Sequence, residues 1–290
     1  MFLIETMIEP RSRADRQKLE RVLPKMAAED PAFGFGVDQE SGQLVLKGID
    51  EEQLGGKIDA LRDEHVVGFQ VGQPQVAYRE TLGRRADIDY IHKKRAGGAG
   101  EFARVKITLE PSEPGAGYQF ESKVVGGNVP EEYVPGVEKG LALAKENGLL
   151  AGFPVIDFTA TLTDGDYHDI DSSQRAFEIA AGAAFRELRD KASPKLVEPI
   201  MRVEVTTPAD CVGDVIGDLE SRRGVIDATG ARGDAQVIVA KVPLANMIGY
   251  RDPLSSLTGG RARFQMVFDG YGPAPDPDPD LFPPAAAMRA

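Results

Sequence analysis

Apolar and polar residues alternate over Phe2–Ile8 and stop at Glu9-Pro10, which predicts a strand. From Ala14 to Ala28 the spacing changes: Leu19, Val22, Leu23 and Met26 fall on one face of a helix, and Asp30-Pro31 ends it. Short strands are expected at Phe33–Val37 and Gln43–Lys47 around a turn at Gln39-Glu40-Ser41-Gly42. A helix over Glu51–Glu64 and a strand over Val66–Gln70 complete a β-α-β-β-α-β order. The C-terminal third repeats that order. Met201–Val205 is a strand, Ala209–Arg222 a helix closed by Gly224, Val225–Ala231 and Ala235–Pro243 strands, Asp252–Leu257 a helix and Arg261–Asp269 a last strand. Both segments fit the split βαβ, ferredoxin-like plan, an antiparallel sheet with two helices on one face.

The middle of the chain reads differently. Strands are expected at Gln75–Glu80, Phe102–Glu110, Gln119–Val125 and Val155–Asp164. Between the first two lies a Gly/Lys/Arg-rich stretch, His92–Gly100. Helices are expected at Pro130–Asn147, with Val134, Val137, Leu141 and Ala144 inward, and at Ser172–Lys191. The final Ala274–Ala290 contains Asp-Pro-Asp-Pro-Asp, where Pro removes donors and like charges repel, so it reads as a disordered or polyproline II tail. The chain is thus α+β in class, with domains at 1–74, 75–198 and 199–273 and a tail at 274–290.

Charge narrows the possible roles. The 290 residues carry 34 Lys and Arg against 46 Asp and Glu, a net charge of −12, which excludes a broadly basic protein held to nucleic acid by bulk attraction. Residues 1–78 carry 9 basic and 14 acidic side chains, residues 79–195 carry 16 and 19, and residues 196–290 carry 9 and 13. The middle segment is richest in cations, and they cluster at Arg84, Arg85 and His92-Lys93-Lys94-Arg95. If any surface meets nucleic acid, it is expected there. The single Cys211 excludes an internal disulfide framework. The N-terminus has no basic, then apolar, leader pattern, and no stretch approaches the roughly 18 apolar residues of a membrane helix. A cytoplasmic protein without membrane contact is expected.

Catalytic and nucleotide motifs are missing. No P-loop string occurs; Gly97-Gly98-Ala99-Gly100 and Gly126-Gly127-Asn128 lack the Lys-Ser/Thr that would follow. His65, His92 and His168 are far apart, and Cys211 reads as a packed side chain in a helix. Asp164-Gly165-Asp166-Tyr167-His168-Asp169-Ile170-Asp171 is acidic enough to suggest a divalent ion, but its spacing is wrong for a calcium loop. A polar turn with Asp171, Ser172 or Ser173 capping the next helix accounts for it better. Glu51-Glu52 reads as a solvated helix start at the positive dipole end. No metal site is assigned.

Long motifs then carry a resemblance over residues 3–273. They are Gly72-Gln73-Pro74-Gln75-Val76-Ala77-Tyr78-Arg79-Glu80, His92-Lys93-Lys94 with Gly97–Gly100, and Pro130-Glu131-Glu132-Tyr133-Val134-Pro135-Gly136-Val137. Tyr167-His168-Asp169-Ile170-Asp171-Ser172-Ser173 and Gly213–Leu219 with Ser221-Arg222-Arg223-Gly224 complete the set. In this order they resemble domains III, IV and V of bacterial translation elongation factor G. The resemblance implies ferredoxin-like folds for III and V, and an elongated α+β domain IV like domain 2 of ribosomal protein S5. It further implies a ribosome-binding, tRNA-mimicking module whose domain IV enters the A site during translocation and meets 16S and 23S rRNA. Its tip would comprise Gly126, Gly127, Asn128, Val129 and Pro130 with Asp166, Tyr167 and His168, backed by Lys93, Lys94 and Arg95. Ser221, Arg222 and Arg223 would touch the ribosome from domain V. The family's GTPase domain and domain II have no counterpart in this string, so no enzyme activity and no cofactor are expected of it; GTP and Mg belong to the intact factor. The chain is expected to act as a monomer.

Two departures from the family pattern accompany this. The family's Gly-Met-Gly-Glu-Leu-His-Leu is Gly48-Ile49-Asp50-Glu51-Glu52-Gln53-Leu54 here, and its Phe-Asp-His-Tyr is Phe268-Asp269-Gly270-Tyr271. These changes and the acidic tail leave an alternative open: a stand-alone relative with a regulatory or protein-interaction role off the ribosome.

Overall fold

The structure, a computed structural model, describes residues 2–38, 42–96, 99–126 and 128–275, without the side chains of Arg95, Ala96 and Ala99. The tail beyond residue 275 and the turn residues Gln39, Glu40 and Ser41 lie outside the described residues. The described residues form two compact units, 2–77 with 198–270, and 78–197 with 271–275.

The N-terminal segment runs β1 (Ile4–Pro10), α1 (Arg13–Glu29), β2 (Gly34–Val37), β3 (Leu44–Gly48), α2 (Glu51–Asp63), β4 (Phe69–Val71) and the two-residue β5 (Gln75–Val76). Its main strands lie in the order β2-β3-β1-β4, and β1 is antiparallel to β3 and to β4. This is the ferredoxin-like order expected from the sequence. Ile4 and Ile8 of β1 are buried, as are Leu19, Leu23 and Met26 of α1 and Leu54 and Leu61 of α2. Local chemistry sets both helix starts. Ser12 Oγ accepts from Asp15 N at 3.1 Å, while Asp50 Oδ1 accepts from Gln53 N at 2.8 Å. Gln53 Oε1 in turn accepts from Ile49 N at 3.3 Å, close to a reciprocal capping box. The altered segment at residues 48–54 therefore builds a well-capped helix.

The middle segment contains β6 (Arg79–Thr81), β7 (Ala86–Ala96), β8 (Ala99–Pro111), β9 (Tyr118–Ser122), α3 (Val134–Lys145), β10 (Phe158–Asp166), α4 (Gln174–Glu187) and the short α5 (Arg189–Ala192). Four strands form the sheet β7-β8-β10-β9, in which β10 is antiparallel to β8 and parallel to β9. One face of this sheet is apolar. Val105, Ile107 and Leu109 of β8 and Ala160 and Leu162 of β10 pack in one buried core with Val137 and Leu141 of α3 and Phe177, Ala180, Ala184 and Phe185 of α4.

The C-terminal segment repeats the first plan with β11 (Lys195–Pro208), α6 (Val212–Ser221), β12 (Val225–Arg232), β13 (Ala235–Pro243), α7 (Arg251–Thr258) and β14 (Arg263–Pro273). Its order, β12-β13-β11-β14, matches that of the first sheet. Cys211 is buried just before α6. Within this unit the first turn of α2 reaches α7: Glu51 Oε2 accepts from Gly249 N at 2.8 Å and Glu52 Oε2 pairs with Arg251 at 3.0 Å. Both carboxylates remain exposed in the first turn of α2, as expected, and each also has this partner.

Two expectations are corrected, and one strand lies outside them. Gln75–Glu80 is not one strand: Gln75–Val76 pairs with β1, whereas Arg79–Thr81 pairs with residues 195–197 of β11. Residues 86–96, to which no strand was assigned from sequence, form β7, which pairs with β8 as far as Ala96 with Ala99. The helix expected to reach Lys191 ends at Glu187, and a separate turn from Arg189 to Ala192 follows and buries Leu188 and Ala192.

Strand β6 carries Glu80, which is fully buried. Its carboxylate accepts from Leu149 N, Leu150 N, Ala151 N and Phe153 N at 2.5–3.2 Å, so one side chain satisfies the turn between α3 and β10. Replacing Glu80 by Ala leaves these amides without their acceptor. The expected result is a destabilisation on the order of 3 kcal/mol in urea unfolding, with Glu80→Gln intermediate. An unchanged midpoint for Glu80→Ala would contradict this role.

Candidate nucleic-acid interface

The face of the middle sheet turned away from α3 and α4 is polar. Along β8, the buried Ala103, Val105, Ile107 and Leu109 alternate with Arg104, Lys106 and Thr108, as a half-covered strand requires. Arg104 grips Asp89 with two bonds of 2.8 and 2.6 Å, and Thr108 donates to Asp87 at 2.5 Å. The Arg104 guanidinium holds the Asp89 carboxyl below its usual range.

Strand β10 enters this face through an irregularity. Leu162 is opposite Ile107, but Asp164 is opposite Lys106, so Thr163 is an extra residue. Such a bulge reverses which face later side chains occupy. Asp164 thereby joins Lys106 and Arg104 on the polar face instead of following Leu162 into the core. Lys106 Nζ donates to Asp164 Oδ2 at 2.7 Å and Asn128 Nδ2 to Asp164 Oδ1 at 2.9 Å. These two donors, with Gly165 N, hold the Asp164 carboxyl far below the ordinary aspartate range.

The next residue completes the junction. A Cβ on Gly165 would collide with the Arg104 carbonyl oxygen and lie 2.5 Å from Val129 Cγ2, so only glycine admits Val129 here. Val129 is buried in the core beside this point. The loop Gly126–Pro130 is therefore held twice, by Asn128 outside and Val129 inside. Gly127 lies outside the described residues.

The second loop is fastened to the hairpin. Phe102 N donates to Asp171 O at 2.8 Å, and Ser172 Oγ donates to Phe102 O at 2.7 Å while accepting from His168 N at 2.9 Å. A Cβ on Gly100 would collide with the Asp171 carboxylate, so the loop lies directly on β8. Within the loop, His168 Nδ1 faces Ile170 N and Asp171 N at 3.3 Å each, which favours the tautomer protonated on Nε2. The imidazole remains 55% exposed. Ser173 caps α4 by accepting from Ala176 N at 3.2 Å, which selects one of the three candidate caps.

Lys93 is opposite Phe102 in the hairpin, and Lys94 is opposite Glu101. Both lysines are exposed. His92 is spent locally: its Nε2 lies 3.1 Å from Glu101 Oε2 and draws the Glu101 carboxyl downward. Arg95 continues the strand, with its side chain outside the described residues. The structure thus brings Asn128, Asp166, Tyr167, His168, Lys93 and Lys94 to one end of this unit. Asp164, Lys106, Gly165, Gly100 and Ser172, which organise that end, were not singled out as site residues from sequence. The glycine inside a strand pattern at Gly165 was the available signal.

The C-terminal triplet is more occupied. Ser221 Oγ donates to Asp218 O at 2.7 Å. Arg222 binds Asp218 at 3.0 Å and Asn246 O at 2.8 Å, and stacks over Tyr250. Arg223, at φ 63°, binds the buried Glu198 at 2.6 Å. Burial pushes the Glu198 carboxyl up against the pull of Arg223. Both arginines support the fold around the end of α6. Among the described residues no three His, Cys, Asp or Glu side chains converge as metal ligands, and no helix is long and apolar enough to cross a membrane.

Two ferredoxin-like sheets in chain order around a mixed four-stranded α+β sheet define a multidomain class in which loops at one end of the central fold are presented together. Comparisons identify the family. Residues 2–73 match the family model for elongation factor G domain III, residues 74–193 that for domain IV, and residues 195–281 that for the elongation factor G C-terminus. Elongation factor G of Hyphomonas neptunium is 58% identical over 273 residues, 94% of this chain and 39% of that protein. A crystal structure of a Thermus thermophilus protein matches with a TM-score of 0.75 and 38% identity, covering 94% of this chain and 41% of that one. Over these regions the chain belongs to the elongation factor G family; it spans about two fifths of the relatives it matches.

The Asp164 junction has a signed pH dependence. A carboxyl lowered on folding contributes stability that is present above the ordinary aspartate range and lost as pH falls toward its folded value. The Asn128 side-chain amide signal should therefore hold its position through pH ~3.9, the unperturbed aspartate value, and move only in stronger acid. In Asp164→Asn that acid transition should vanish. Movement of the wild-type signal at the ordinary aspartate midpoint would contradict the junction.

Proposed function

We propose that this chain is the ribosome-binding part of a translation elongation factor, with segments 1–74, 75–198 and 199–273 acting as domains III, IV and V. The observation that carries the reading is the convergence of the Asn128 loop, the His168 loop and the Lys93–Lys94 strand at one end of the middle unit. Such an end suits RNA. Glycines at 126 and 127 allow close backbone approach, the exposed imidazole and lysines reach phosphates, and Tyr167 offers a ring. In this reading domain IV enters the A site and meets rRNA as tRNA advances, Arg95 adds to the cationic strand, and the chain acts as a monomer in the cytoplasm.

The surrounding acids keep such binding weak. With Asp89, Asp164 and Glu101 fixed nearby, few phosphates can be neutralised, and binding should fall only gently with salt. The turn at Ser221, Arg222 and Arg223 is proposed to contact the ribosome through its shape, because its guanidinium groups are already engaged. Hydrolysis of GTP, with its Mg, belongs to parts of the factor outside the three matched regions.

Co-sedimentation with vacant ribosomes tests the reading. The chain should pellet with ribosomes at low salt and be displaced by intact elongation factor G. Lys93→Glu/Lys94→Glu should weaken binding by about tenfold and reduce the salt slope by roughly two phosphate contacts. Binding unchanged by the double charge reversal would overturn the proposed surface. Failure to pellet, together with capture of a soluble protein free of rRNA, would favour the off-ribosome alternative.

A further inference from the structure

Away from the tip, the middle unit carries a groove of about 710 Å³ between α3 and α4. Its floor is low because Gly140 of α3 and Gly182 of α4 bring the helix backbones together; a Cβ on Gly182 would already lie 3.6 Å from Gly140 O. Leu143, 54% exposed, and Ile179 supply apolar walls. Arg186 and Arg189 stand on the α4 side of the groove, and among the described residues neither guanidinium has a hydrogen-bond or ion-pair partner. Glu178, the acid in this lining, is taken by Lys139 at 2.9 Å. The groove therefore combines an apolar trough with two uncommitted cations, the complement of an acidic segment that carries large apolar side chains.

The C-terminal stretch of the chain is such a segment. We propose that the groove receives residues 276–282, Asp-Pro-Asp-Pro-Asp-Leu-Phe. Asp276, Asp278 and Asp280 match the two guanidinium groups in charge, and Leu281 with Phe282 match the trough in polarity. The alternating prolines limit the conformational freedom that binding would remove.

The chain also leaves the fold in the right place. Ala274 N donates to Leu196 O at 3.1 Å, and Leu196 is paired with Glu80 across one strand spacing. The Glu80 carboxylate in turn holds Leu149 N, and Leu149 lines the groove. One strand spacing plus a side chain is roughly 10 Å. Residues 275–280 can extend to roughly 20 Å, which covers the path. Because the segment is tethered, its effective concentration at the groove is in the millimolar range, so modest affinity suffices. A filled groove withdraws the α3–α4 face from other partners, and salt should release it by screening the ion pairs.

Paramagnetic relaxation on the full chain tests this. A nitroxide is placed at Ala285→Cys in a Cys211→Ala background, and amide signals are compared in the paramagnetic and reduced states. At low salt the amides of Leu143, Asn147 and Gly182 should lose intensity selectively, and high salt should restore them. Arg186→Glu/Arg189→Glu should abolish the effect, as should Asp276→Lys/Asp278→Lys/Asp280→Lys, which leaves the groove itself intact. Absence of selective broadening at these amides, or broadening that survives both charge reversals, would overturn the proposal.

Discussion

One extra residue in β10 decides which face of the middle sheet receives the acidic turn. Without Thr163 as a bulge, Asp164 would follow Leu162 into an apolar core, where an unpaired carboxylate is strongly disfavoured. With it, Asp164 meets Lys106 and Asn128, and Gly165 takes the inner position under Val129. The same step positions Asp166 opposite Arg104 and sends the chain toward Phe102, where Ser172 and Asp171 fasten it. Two loops distant in sequence and the end of a hairpin are thereby presented together. The shape of the candidate interface is a consequence of strand register more than of the loops' own composition.

That arrangement also shows how a protein of net charge −12 keeps uncommitted cations at one end of its middle unit. The charges at this end have unequal duties. Arg104 and Lys106 are consumed in pairing Asp89 and Asp164, which fixes the scaffold, and His92 is tied to Glu101. Lys93, Lys94 and the His168 ring remain outward. Counting basic residues along the sequence gives no hint of this division. In the C-terminal fold the division goes the other way, with Arg222 and Arg223 both turned to Asp218, Asn246 and Glu198.

Much of the architecture was legible from residue patterns. Period-two runs and helical faces such as Leu19, Leu23 and Met26 located both ferredoxin-like segments, because each element buries one regular face. Irregular features were not legible. Strand β7 was not assigned because its outer part, His92–Arg95, is a run of polar residues without alternation, although Ala86, Ile88 and Tyr90 already alternate with Asp87 and Asp89. Gln75–Glu80 read as one strand because nothing local shows that its two ends pair with different partners, β1 and β11. The link from Asn128 to Asp164 spans 36 positions and depends on a bulge, a property of two strands together. Motif resemblance named the tip loops, but only the folded arrangement supplies the bonds that hold them.

The central claim is that the Asn128 and His168 loops form one RNA-facing end of the middle unit. Directed hydroxyl-radical cleavage tests it most directly, with iron tethered separately at His168→Cys and at Asn128→Cys in ribosome complexes of a Cys211→Ala chain. The account predicts overlapping cleavage of the same small-subunit rRNA positions from both sites, and none there from a tether at Glu113→Cys in the turn between β8 and β9. Cleavage at unrelated positions from the two tip sites, or an identical pattern from Glu113→Cys, would contradict it.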